Sequence, residues 1–266
     1  MSDERAKVRL GGMALSNGVL VHGPTAWACA IRTGDGGIEI ASGRKKLLAP
    51  RLRQPFVRGP LRLAESFAFL PELRRRLPEA RLPFERPAVL VATLASALSV
   101  QVLRRSEQVS DAARELLSGA LSLAPALMAL RGGELAAYHG AEHVSIGSYE
   151  HGEARAREHE RCGSHLIGPL LAASAAANIL ASRAPQAVRG PVRLAASVGA
   201  VGAAVEVFGW MTRNPGHPLA KALARPGHEL QHRLATAEPT PEQLEVAEAA
   251  LAACLELEND GDRRAD

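Results

Sequence analysis

The sequence predicts a mainly α fold: a four-helix, membrane-spanning bundle with a small N-terminal β-hairpin region before it and a C-terminal amphipathic helix after it. Three observations predict this. The chain is 47% apolar but only 3% aromatic, and alanine and leucine, both strong helix formers, supply most of the apolar count. Four apolar segments, 87–103, 116–130, 166–182 and 194–212, run for 17, 15, 17 and 19 residues, the short end of what crosses about 30 Å of hydrocarbon. Their serines and threonines are small and scattered, as in packed membrane helices, where a soluble bundle would gather them on polar faces. Between the second and third segments, residues 138–165 hold five of the nine histidines and one of the three cysteines.

In chain order, residues 1–43 form an N-terminal β region. The stretches 20–22, 25–33 and 37–42 are β-compatible, and Gly34-Asp35-Gly36-Gly37 supplies a hairpin turn tolerant of positive φ. No phosphate loop is expected here, because the G-x-x-x-x-G-K-[ST] pattern is missing. No cleavable signal is expected either, since MSDERAKVRL leads into glycines. Residues 44–86 carry twelve Lys/Arg against four Asp/Glu. Such a segment ahead of apolar helices fits the anionic face of a membrane lipid layer, and with little aromatic interleaving no nucleic-acid partner is expected. It places the N-terminus on the cytoplasmic side. Residues 87–212 are then the helical membrane domain carrying the 138–165 loop. Four crossings put that loop and the C-terminus on the cytoplasmic side too. Arg104, Arg105, Arg114, Arg183, Arg189 and Arg193 fall on the far side, which runs against the rule and favours the alternative of a buried soluble bundle.

Residues 213–266 form a C-terminal cytoplasmic helix and tail. His217, His228 and His232 read as surface histidines, on a short helix after Pro226-Gly227. Thr240-Pro241-Glu242-Gln243 is a capping-box helix start, Leu244, Leu251 and Leu255 give the last helix an apolar stripe, and disorder is expected after residue 258. Cys29, Cys162 and Cys254 form no paired framework, which points to a reducing compartment.

The chemistry concentrates in YHGAEH at 138–143. On a helix, His139 and His143 share a face about 5–6 Å apart, the spacing with which two imidazoles grip one metal ion. Glu142 completes H-x-x-E-H, an inverted zinc-protease pattern in which the carboxylate is a general base and not a ligand. The expected cofactor is a divalent metal ion, zinc. Glu150 and Glu153 continue the face through Ile146, although Gly140, Gly147 and Gly152 weaken a helix by roughly 1 kcal/mol each. His159 and Cys162 add further donors. Glu206, an acid inside the fourth apolar segment, costs roughly 2.5–3.5 kcal/mol on insertion scales and counts as functional by default. The candidate set is therefore Glu142 as catalytic base, with His139, His143, Glu150, His159, Cys162 and Glu206 as metal donors. A three-position pattern arises by chance, so the clustering of donors carries the argument.

With these residues in view, the chain resembles the YqhQ-like bacterial family of unknown function. The matching blocks are GGMALSNGVLVHGP, PFVRGPLRLAES, YHGAEH, Tyr149-Glu150, HERCGS at 159–164, Glu206, PGHELQ at 226–231 and ATAEPTPEQLEVAEAAL at 235–251. The family usually has an acidic residue where Asn17 stands and a basic one where His22 stands. The resemblance implies a multi-pass protein of the bacterial inner membrane and a predicted metal-dependent enzyme. The expected activity is metal-assisted hydrolysis of an amide or ester in a small-molecule or peptide substrate. The alternatives are a non-catalytic membrane scaffold or adaptor, whose His/Glu/Cys cluster is a structural clip, and a Cys162 thiolate nucleophile paired with His159 or His143.

Overall fold

A computed structural model describes residues 7–45, 61, 64–106, 108–130 and 133–262. Strands β1 (Gly11–Leu15), β2 (Gly18–His22), β3 (Ala26–Arg32) and β4 (Ile38–Arg44) form an antiparallel meander in that order. The β3–β4 turn is the one the glycines predict: Gly36 sits at φ +88°, and Asp35 accepts from the Thr33 hydroxyl and, at 3.1 Å, from the Gly37 N–H. Alternation along β3 sends Trp27, Cys29 and Ile31 to one face and Ala28 and Ala30 to the other. Both faces are covered, which is why AWACAIR reads as continuously apolar.

The Trp27 face packs beneath α1 (Leu70–Arg76), with Phe69 stacked on the indole at 5.5 Å. Arg76 donates to the Ser42 carbonyl at 2.6 Å, and Arg74 donates to the Pro78 and Ala80 carbonyls and pairs with Glu85. Arg74 thus fixes the turn that follows α1, while Arg76 ties the cover to β4; both come from the basic 44–86 segment. Five of its twelve cationic residues fall within 46–60, 62 and 63, outside the described residues.

Four apolar helices follow: α2 (Pro87–Arg105), α3 (Asp111–Leu130), and, beyond α4 (Glu134–His151), α5 (Ile167–Ser182) and α6 (Arg189–Arg213). They pack as two hairpins, α2 with α3 and α5 with α6, which touch along α3 and α5. Three helical stretches, Pro87–Arg105, Gly163–Ser182 and Gln186–Arg213, are long and apolar enough to cross a membrane, and α3 carries the shorter apolar run Leu117–Leu130. Their apolar side chains face outward: Leu94 is 67% exposed, Val102 70% and Leu194 71%. Pro125 interrupts α3, and the Leu121 carbonyl that its missing N–H would have bonded accepts instead from Ser96 of α2 at 2.6 Å. Val89 and Ala129, at the base of the first hairpin, join the core beneath the sheet.

The chain closes with α7 (Pro218–Leu230), a π-helical turn (Gln231–Ala235) and α8 (Pro241–Asp262). Helix α7 begins well before Pro226 and runs through it, where the sequence suggests a start after Gly227. The capping box of α8 forms as predicted, with Thr240 N donating to Gln243 Oε1 and Gln243 N to Thr240 Oγ1. Its buried stripe is Val246, Ala247, Ala250 and Cys254, while Leu244, Leu251 and Leu255 flank it half-buried. Small residues take the centre because α8 lies close on the Ala28–Ala30 face of the sheet. The helix continues to Asp262, where the sequence suggests disorder from 259 onward; residues 263–266 lie outside the described residues. Glu258 fastens it by accepting from Thr25 N, Thr25 Oγ1 and Ala26 N at 2.7–2.8 Å.

Candidate metal centre

Helix α4 lies between the sheet, α8, the loop that follows it and the π-turn, and is buried nearly all round. It runs unbroken through Gly140 and Gly147 to Gly152, which ends it at φ +76°. Gly140 is there for proximity: a Cβ would stand 2.1 Å from the Ala237 carbonyl oxygen. Ala237 N donates to the Ala136 carbonyl at 2.9 Å, so the chain leaving the π-turn lies directly against α4.

That approach sets His139. Its Nδ1 is 2.8 Å from the Ala235 carbonyl, and His143 Nδ1 is 2.6 Å from the Arg157 carbonyl. A carbonyl only accepts, so both imidazoles carry a proton on Nδ1, and in the neutral rings each Nε2 is an acceptor, that of His139 toward the Cys162 thiol. The rings stand 4.3 Å apart. His143 is 2% exposed and its Nε2 has no hydrogen-bond partner among the described residues. Burial holds its pKa below the ordinary imidazole range, and the nearby Cys162 partly offsets this. Cys162 Sγ lies 3.6 Å from His139 Nε2, and one ligand atom from each of His139, His143 and Cys162 falls within 4.8 Å of the others. Tetrahedral zinc with N and S ligands requires donor separations of about 3.3–3.6 Å, from bonds of about 2.0–2.3 Å. The His139–Cys162 pair meets that separation, and by donor type and backbone-anchored tautomer the three groups could hold a divalent cation. No other His, Cys, Asp or Glu group of three or more converges this closely among the described residues.

Glu142 sits beside the triad, outside it. Its carboxyl is 6% exposed, and Oε2 is buried with no partner among the described residues. Burial raises its pKa above the carboxylate range, partly offset by His139 and His159. Gly12 of β1 makes the space: a Cβ there would be 2.5 Å from Oε1. A cavity of about 330 Å³ opens over these groups, lined by Gly12, His22, His139, Glu142, His143 and Cys162 among others. Leaving a buried acceptor unpaired costs about 1–3 kcal/mol, and here two such atoms, Glu142 Oε2 and His143 Nε2, belong to one cavity wall.

The remaining sequence-predicted donors are placed elsewhere. His159 lines the cavity, but its Nε2 faces Glu150 at 3.3 Å and its Nδ1 accepts from the Arg161 N–H. Glu150 is held by His159 and by a close ion pair with Arg161, and these contacts outweigh burial to keep its pKa low. Glu153 is exposed and pairs with Arg155. Glu206 stands on α6, outside the convergent group.

Gln231, the first residue of the π-turn, was not foreseen. It is fully buried; its Oε1 accepts from His159 N at 2.8 Å, and its amide nitrogen donates to Ser164 Oγ at 2.8 Å. It thus clamps the 159–164 loop, and with it Cys162, onto the same turn that orients His139. Its only sequence signal was its place in the PGHELQ block.

Residues 134–257 match the model of a family described as a protein of unknown function, DUF1385. That span opens with α4 and contains every residue of the triad and the π-turn. No curated protein and no solved structure matches the chain.

Proposed function

We propose that this chain is a metal-dependent hydrolase embedded in the bacterial inner membrane, acting on an amide or ester with a divalent cation, zinc, held by His139, His143 and Cys162. One observation carries the reading: among the described residues three convergent donors, rather than four, face a cavity that also holds a buried carboxylate. Structural zinc sites close with four protein ligands, whereas catalytic ones keep a position open. When bound, the cation supplies Lewis acidity and lowers the pKa of water it holds to about 7.

The protein's own groups do the rest. The carbonyls of Ala235 and Arg157 keep both Nε2 lone pairs aimed inward. Glu142 takes a proton at Oε2 and returns it to the leaving group, a task suited to a carboxylate whose pKa is raised by burial. Gly12 leaves the carboxylate room without supplying a competing donor. The outward-facing apolar helices support insertion, with both termini on the cytoplasmic side and the cavity at the base of the hairpins, facing the cytoplasm.

Elemental analysis of the purified chain, paired with hydrolysis of a chromogenic ester, tests this. Wild type is expected to hold about one zinc per chain, and His139→Ala/His143→Ala to hold none. Full occupancy in that double variant rules the site out. Glu142→Gln should keep its metal while hydrolysis drops about 10²–10⁴-fold; unchanged hydrolysis would leave the non-catalytic clip as the better account.

A further inference from the structure

A second cavity, of about 540 Å³, lies between the end of α6, α7 and the 155–165 loop. It shares His159 and Arg161 with the metal cavity as a common wall. Its floor is apolar, from Phe208 and Met211 in the last turns of α6 and Ala220 and Ala224 of α7, and its rim is cationic. Much of the rim charge is already neutralised: Arg161 is paired with Glu150, Arg155 with Glu153 and Glu160, and Glu158 with His232 and Arg157. Lys221 and Arg225 differ. They stand one turn apart on α7, both line the cavity, and neither side chain has an ion pair or hydrogen bond among the described residues.

The cavity's level in the fold identifies its occupant. The apolar stretch Gln186–Arg213 ends here. Trp210, packed edge-on against His217 at 5.0 Å, marks the aromatic belt where a spanning helix meets water. Helix α7 adds an exposed Leu219 beside its lysine and arginine, the pattern of a helix lying in the interface. An apolar floor continuous with a spanning helix, topped by two unneutralised cations, complements an anionic amphiphile and not a free anion.

We propose that this cavity binds an anionic phospholipid, its phosphate taken by Lys221 and Arg225 and its acyl chains laid against Phe208 and Met211. The headgroup then lies across the His159–Arg161 wall from the metal cavity. This inference rests on the membrane reading above and is independent of the hydrolase chemistry.

The test uses the full chain in nanodiscs of dioleoylphosphatidylcholine with and without dioleoylphosphatidylglycerol, with retained lipid read by native mass spectrometry. Wild type should retain the glycerol lipid in preference to the choline lipid. A basic residue near an anionic headgroup is worth roughly fivefold, so Lys221→Ala/Arg225→Ala should weaken retention about thirtyfold. Arg183→Ala/Arg189→Ala, which removes equal charge at the hairpin tip, should leave retention unchanged. Equal retention of the two lipids, an unaffected Lys221/Arg225 variant, an equal loss at the tip, or displacement by equimolar inorganic phosphate would each overturn the site. Carbonate extraction separates the two readings. A chain released from membranes overturns the membrane reading and this proposal together, whereas a chain that stays but ignores Lys221→Ala/Arg225→Ala overturns the lipid site alone.

Discussion

Helix α4 buries His143 and Glu142 to 2% and 6% exposure, while α2, only a few tens of residues earlier, leaves Leu94 and Val102 67% and 70% exposed. In water both choices are costly: unpaired polar groups inside lose hydration, and apolar faces outside gain nothing. On the proposed reading the two helices become consistent: a cation and substrate would occupy the space over α4, and hydrocarbon would surround α2. Composition alone is therefore a poor guide to burial here, because the most buried helix is among the more polar ones.

The largest expected effect tests what surrounds α2. Leu94→Arg should cost about 3 kcal/mol of insertion free energy, read as loss from the carbonate-resistant membrane fraction. A side chain this exposed to water would tolerate the change within about 0.5 kcal/mol, and such indifference would break the contrast. Next comes the fit around α4. Gly140→Ala drives a methyl onto the Ala237 carbonyl and should cost about 2–3 kcal/mol, seen as a lowered Tm and, because His139 loses its anchor at Ala235, as weaker metal retention. A wild-type Tm would show that α4 is not so tightly enclosed.

The smallest effect is acid sensitivity of the buried half. Burial, aided by Lys45 at 2.7 Å, lowers the His22 pKa from 6.5 to about 4. The unfolded chain takes this proton near 6.5 and the folded chain only near 4, so stability falls as pH drops through that window and levels off below it. The loss should be about 2 kcal/mol, after discounting for partial exposure. Glu142, whose pKa is raised, acts in the opposite sense: its burial penalty is relieved on acidification. His22→Gln isolates the histidine contribution, and the same acid loss in that variant would assign it elsewhere.

Part of the site could be read without coordinates. His139 and His143 follow from helical spacing, and Cys162 from its crowded neighbourhood. What places Cys162 against the histidines is Gln231, nearly seventy residues later, together with two main-chain carbonyls that any residue type would supply. Side-chain patterns are blind to both. Glu150 and His159 share the dense stretch, yet they are spent on each other and on Arg161. The hairpin turn and the α8 cap were legible because each depends on residues within four positions. The α8 stripe was not, because its alanines answer to alanines on β3, and neither set stands out alone. The four apolar segments were visible as lengths, but their pairing into two hairpins depends on contacts that length does not encode.

Joint binding of one cation by His139, His143 and Cys162 is tested most directly by X-ray absorption at the metal edge of the zinc-loaded chain. Two nitrogen donors at about 2.0–2.1 Å and one sulfur at about 2.3 Å are expected, with the sulfur shell lost in Cys162→Ser. A shell of oxygens alone, or a sulfur shell that persists in Cys162→Ser, would contradict it.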